Sequence, residues 1–133
     1  MGTLLSRPKA FGTLTRRQQG FYYERLARLY LERAGLRFIA ANVILRGGEI
    51  DLIMQEQQIW IFVEVRYRAS NYCGGAIASF TRCKQRCLYQ AARVWLFRQG
   101  LCLNTTPCRF DLLAFNGDPA TVEWIPNAFN ANR

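Results

Sequence analysis

Three runs of β-strand composition, Arg37 to Leu45, Glu49 to Met54 and Ile59 to Arg68, follow one another with only Arg46-Gly47-Gly48 and the polar turn Gln55 to Gln58 between them. Connections this short join antiparallel neighbours, so the runs predict a three-stranded meander. Helical spacing lies on either side. Upstream, Gly20, Glu24, Ala27, Leu31 and Ala34 fall on one stripe of a helix over 18–34 that Gly35 ends. Downstream, a helix from Thr81 to Gln99 carries Lys84, Leu88, Ala91 and Trp95 on one stripe. Two further strands, Cys108 to Phe115 and Thr121 to Ile125, follow. A chain of 133 residues has room for one compact domain, and this order of elements predicts an α/β fold: a mixed central sheet flanked by helices. Residues 1–16, with Arg7, Lys9 and Arg16 but no sustained period, read as a basic flexible arm. Residues 17–129 read as the domain and 130–133 as a tail.

Charge points to the partner. Eighteen Lys+Arg stand against nine Asp+Glu, giving +9 at pH 7, and 16 of the 18 cations are arginine. A guanidinium grips phosphate bidentately where an ammonium offers a point charge, so the skew predicts nucleic acid, with DNA preferred over RNA. The chain has no histidine, which excludes histidine-based nucleases, Ser/His/Asp hydrolases and Cys/His proteases. The glycine pairs Gly47-Gly48 and Gly74-Gly75 match neither a P-loop nor a dinucleotide fingerprint. The longest apolar run, Ile59 to Val63, is too short to span a bilayer, and the N-terminus lacks an apolar core of signal-peptide length, so the expectation is a cytoplasmic protein with no membrane partner. Five cysteines, an odd number, are expected to be reduced thiols.

One constellation carries chemistry. Glu49 and Asp51 alternate with Ile50, Leu52 and Met54, so the two acids share a face of their strand. In the next strand Ile59, Ile61, Val63 and Val65 form an apolar face, with Trp60, Phe62, Glu64, Arg66 and Arg68 opposite. A hairpin about Gln55 to Gln58 brings Asp51 roughly opposite Glu64, beside Arg66. Adjacent carboxylates repel unless a cation lies between them, and hard oxygen ligands favour magnesium or manganese. An ion-pair arrangement, in which Asp51 and Glu64 pair with Arg66, Arg68 or Arg46 at the sheet rim, fits the pattern equally well. Glu24, an acid on a stripe of small residues, needs a reason to be there. Of the aromatics Trp60, Phe62, Tyr67 and Tyr72, the first two are expected in the core and the others are candidates for stacking on bases.

The segments G-x-x-x-E-x-x-A (Gly20, Glu24, Ala27), A-x-N (Ala40, Asn42), G-E-I-D-L-I (Gly48 to Ile53), F-V-E-V-R-Y-R (Phe62 to Arg68), Thr81 with Lys84-Gln85, and R-F-D (Arg109 to Asp111) resemble the YraN family of bacterial proteins over roughly residues 17–129. That resemblance implies a restriction-endonuclease-like fold related to Holliday-junction resolvases, with the metal-dependent D…E-x-K nuclease core. It makes Asp51 and Glu64 the metal ligands, Glu24 an accessory acid, and Lys84 or Gln85 a phosphate or water contact. Arg66 stands where the nuclease pattern has lysine; it stays charged, so it can orient water or stabilise charge on phosphorus but cannot serve as a general base. The leading expectation is therefore a magnesium- or manganese-dependent nuclease acting on structured or branched nucleic acid, with Arg46, Arg68, Arg82 and Arg86 on flanking phosphates. The alternatives are a nucleic-acid-binding module that kept the fold without turnover, and a protein-interaction factor. Resolvase-like nucleases that cut two strands are often two-fold dimers, so a homodimer is an assembly to expect, although no sequence feature marks its interface.

Overall fold

The computed structural model describes residues 14–70, 72–118 and 120–130. Helix α1 spans Arg16–Arg33. It starts two residues earlier than its apolar period indicates because Thr15 caps it. Thr15 Oγ1 accepts the Gln18 N–H at 3.1 Å and Gln18 Oε1 accepts the Thr15 N–H at 2.9 Å, a reciprocal box that satisfies two end donors. Of the expected arm 1–16, Leu14 packs on the core beside α1, Thr15 caps the helix and Arg16 begins it, while residues 1–13 lie outside the described residues. The buried stripe of α1 is Tyr23, Leu26, Ala27 and Leu31. Gly20 and Ala34 are exposed, so the expected small-residue stripe is corrected: close approach to the sheet is made at Ala27, and aromatic and branched side chains fill the space on either side.

Strands β1 (Arg37–Leu45), β2 (Gly48–Glu56) and β3 (Ile59–Arg68) form the antiparallel meander. A one-turn helix α2 (Gly75–Ala78) and helix α3 (Arg82–Arg98) then carry the chain back to β4 (Cys108–Asn116), which pairs parallel with β3. β5 (Val122–Ile125) closes the edge antiparallel to β4, giving the sheet order β1-β2-β3-β4-β5. This five-stranded mixed sheet flanked by helices is an α/β architecture consistent with a restriction-endonuclease-like core.

Each face of the sheet has its own core. Tyr23, Leu26, Ala27 and Leu31 of α1 pack on Leu52, Met54, Ile61, Val63, Leu113 and Phe115. On the other face Leu88, Ala91, Ala92 and Leu96 of α3 pack on Ile50, Ile53, Phe62 and Phe110. The expected single apolar face of β3 is therefore corrected: a central strand buried on both sides places Ile61 and Val63 under α1 and Phe62 under α3. The β1–β2 turn lies directly against α3. A Cβ on Gly47, whose φ is +97°, would meet Gln90 Cβ at 3.0 Å, and one on Gly48 would meet the Cys87 carbonyl oxygen at 3.0 Å, so only glycine allows that approach. All five cysteines are free thiols. Among the described residues no helix is long and apolar enough to cross a membrane.

Candidate active site

The site forms where the sheet comes apart. The β2–β3 ladder runs from Glu56↔Ile59 to Leu52↔Val63 and stops. One step further, where Asp51 and Glu64 would pair, the Asp51 side chain takes over: its Oδ2 accepts the Val65 N–H at 2.9 Å. The alternation of β2 also breaks there, with Ile50 in the α3 core and Leu52 and Met54 in the α1 core. On β1 the residue facing this break, Asn42, takes a left-handed φ of 53°. The strands thus splay around Asp51, and groups from both faces of the sheet converge: Glu24 from α1 and Lys84 from α3.

Three acids share this place, and burial weakens all of them. The Glu24 carboxyl is pushed up to about 8, first by loss of water and then by the charge of Asp51, while a hydrogen bond with Asn42 opposes the shift. Asp51 rises to about 6 by burial, held back by the Val65 N–H. Glu64 rises to about 7 by burial and by Asp51, with Arg66 and Lys84 pulling it down. Glu24 and Asp51 are hydrogen-bonded to each other; the weaker acid, Glu24, holds the proton and donates it. Oε1 of Glu24 is buried with no hydrogen-bond partner.

Arg66 is the cation of the cluster. Its Nη1 donates to Glu64 Oε2 at 3.2 Å and its Nε to Ser79 Oγ at 3.0 Å, and the Ser79 hydroxyl donates in turn to the Ala76 carbonyl at 2.6 Å. The one-turn helix α2 therefore holds the guanidinium in a fixed orientation. Beside the cluster lies a cleft of about 560 Å³ between α1, which contributes Arg16, Gly20 and Glu24, and β3, which contributes Arg66 and Arg68.

The structure brings Glu24, Asp51, Glu64 and Arg66 together, with Lys84 close enough to act on Glu64. Gln85 does not join them. Its side-chain amide donates to the Phe80 carbonyl at 3.1 Å, and it lines a separate cleft on α3 with Arg82 and Arg86. Arg68 lies in the arginine-lined cleft, its Nη1 donating to the Tyr67 carbonyl at 2.8 Å, and Arg46 occupies the β1–β2 turn. Tyr67 is half-buried and stacks on Tyr23 at 4.2 Å, which removes that ring as a platform for bases; the Tyr72 side chain lies outside the described residues. Asn42, Ser79 and Arg16 belong to the site and were not singled out as functional from the sequence, while Glu49 was read there only as the acid sharing a face with Asp51. Asn42 and Glu49 sat inside the A-x-N and G-E-I-D-L-I motifs, and Arg16 became legible only through the Thr15 cap.

Every donor in the cluster is a hard oxygen. Among the described residues no three His, Cys, Asp or Glu side chains converge as a ready-made metal cage.

Relatives share most of this chain. It is 58% identical over 119 residues to a UPF0102 protein of Serratia proteamaculans, covering 90% of this chain and all of the relative. It is 57% identical over 116 residues to one from Pectobacterium carotovorum, covering 87% of this chain and 97% of the relative. A Yersinia pseudotuberculosis relative is 54% identical over 119 residues. The pattern described as "Uncharacterised protein family UPF0102" matches residues 23–115, from the middle of α1 to the end of β4 and so across the splayed strands and their acids. The chain belongs to this family, UPF0102, the YraN family that its sequence motifs resemble.

Proposed function

We propose that the protein is a divalent-metal-dependent nuclease that hydrolyses phosphodiesters in structured or branched nucleic acid, DNA in preference to RNA. The observation that carries this reading is the group of three partly buried acids, all weakened by loss of water, beside a cleft lined by Arg16, Arg66 and Arg68. Crowded carboxyls withdrawn from water are costly to ionise, and a cation beside them offsets that cost. Magnesium and manganese fit a site of this kind, because such ions need only one or two carboxylates, keep several waters and take the rest of their shell from phosphate. Asp51 and Glu64 would hold the ion, and a bound ion would lower the pKa of water and neutralise charge on a phosphate oxygen.

The chain's own residues supply the rest. Arg66, fixed by Ser79 and Glu64, presents permanent charge where negative charge develops on phosphorus, and it need not reorganise to do so. Glu24, with its carboxyl near 8, exchanges a proton close to neutral pH, a task arginine cannot perform. Arg16 and Arg68 hold the phosphates on either side of the scissile one.

A second reading, a binding module without turnover, is favoured by one observation: Arg66, standing in place of lysine, is tied to both Glu64 and Ser79. Labelled four-way junction, flap, single-stranded and duplex substrates separate the two. With magnesium or manganese the nuclease cuts at least one of them. Asp51→Asn and Glu64→Gln each lower the rate about a hundredfold or more while binding persists. Binding without cleavage by the wild type selects the second reading.

A further inference from the structure

A second cleft, of about 410 Å³, lies on the other side of Glu24 and shares Gly20 and Glu24 with the arginine-lined one. Its character is different. Phe21 and Ile44 form its walls, and both are exposed to an extent their size does not favour, 45% and 79%. Glu49 lies in register with Ile44 across the β1–β2 pair, and Asn42 lies two residues before Ile44 on the edge strand β1. Arg17 lines the outer rim, with its guanidinium 5.4 Å from the Phe21 ring centre.

Resting on the nucleic-acid reading above, we propose that this cleft is a subsite for one unpaired base of the bound strand, with guanine preferred. Phosphate suits it less than the cleft next door, because Glu49 lines this side only, whereas Arg66 and Arg68 line the other. A flat uncharged ring does suit it. An exposed phenyl face and an exposed branched side chain bury apolar surface against a base, and stacking of this kind is open only to a base that has left its own helix. The polar edge sets the choice among bases. A carboxylate is an acceptor with two oxygens, and guanine alone presents two donors side by side, N1–H and the 2-amino group, on the edge freed by unpairing. Cytosine and adenine offer the amino group alone, and thymine offers N3–H flanked by two acceptors. The two clefts meeting at Glu24 then divide the strand between them: backbone on the arginine side, one extruded base on the other. An unpaired nucleotide next to the scissile phosphate becomes the feature the protein reads in structured nucleic acid.

The test is fluorescence anisotropy on otherwise identical duplexes that are fully paired or carry one bulged guanine, inosine, adenine, cytosine or thymine, with calcium as the divalent ion. Bulged guanine is expected to bind about tenfold tighter than the paired duplex and severalfold tighter than inosine, which lacks the 2-amino group. Phe21→Ala and Ile44→Ser bring the bulged substrates down to the affinity of the paired duplex. Glu49→Gln keeps the gain from the bulge and removes the difference between guanine and inosine. If paired and bulged duplexes bind equally, or the Phe21 and Ile44 variants change nothing, the subsite is wrong while the nuclease reading stands. If no duplex binds at all, both fall.

Discussion

Acids meet the sheet at two places, and their surroundings are opposite. Asp111, on β4, is fully buried and fully answered: Arg109 donates from Nε at 3.0 and 3.2 Å and from Nη2 at 3.2 Å, Trp124 Nε1–H at 2.9 Å and the Asn127 N–H at 2.9 Å. Arg109 is occupied in turn, with Nη1 donating to Glu56 Oε1 at 3.2 Å. This network ties β2, β4, β5 and the segment after β5 together. The acids at Glu24, Asp51 and Glu64 are less buried and less satisfied: they share one ion pair, one backbone N–H, a contact with Asn42 and a proton between Glu24 and Asp51, and Glu24 Oε1 has no partner. A carboxylate whose lone pairs are filled by the protein is a structural part. One whose lone pairs are left short is kept for something the protein must bind.

The comparison breaks first at Asp111. Asp111→Ala leaves Arg109 without its main partner and should destabilise the fold by about 3–5 kcal/mol in urea unfolding, the largest effect expected from any single acid here. By contrast Asp51→Asn should leave the metal-free protein as stable as the wild type, or more stable by up to about 1 kcal/mol at pH 8. Asparagine can still accept the Val65 N–H and removes a charge that raises both Glu24 and Glu64. Equal losses at the two positions would erase the distinction between them.

How much of this contrast can be read in the sequence depends on range. The meander was legible because two short turns leave its strands no other partners, and β1 and β3 have the expected limits. Asp51 and Glu64 were legible for the same reason: register across a hairpin follows from counting. The role of Asp111 was not, although R-F-D was visible as a motif, because its partners Trp124 and Asn127 come from a segment whose return to β4 no local period announces. Nor was the buried stripe of α1, where small residues suggested a close approach and Tyr23 and Leu26 form much of the contact. Ser79 escaped for a similar reason: its value lies in holding Arg66, thirteen residues away, through a one-turn helix with no amphipathic signal.

A pH series sharpens the comparison. The carboxyls of Glu24, Asp51 and Glu64 sit at about 8, 6 and 7 in the folded protein, above their ordinary values of 4.5, 3.8 and 4.5. The folded state therefore binds more protons than the unfolded chain between roughly pH 4 and 8. The stability these groups contribute is full below about pH 4 and is lost as pH rises through 6 to 8. In the absence of divalent ions the melting temperature should fall across that window. Asp51→Asn should flatten the fall, and magnesium should raise the midpoint more at pH 8 than at pH 5.

The smallest effect belongs to Ser79→Ala. Loss of one hydrogen bond to Arg66 should cost about 1 kcal/mol of stability and slow cleavage severalfold with little change in substrate binding, because the guanidinium keeps its charge and loses its fixed aim. A loss as large as that of Asp51→Asn would place the serine itself in the chemistry.

The most direct measurement is a titration with manganese at pH 8, following the free-ion electron paramagnetic resonance signal, on wild type, Glu64→Gln and Asp111→Asn. The account predicts saturable binding by the wild type that Glu64→Gln removes and that Asp111→Asn, where still folded, retains. Absence of saturable binding to the wild type, or equal binding by Glu64→Gln, would contradict the claim that the unsatisfied acids form the site.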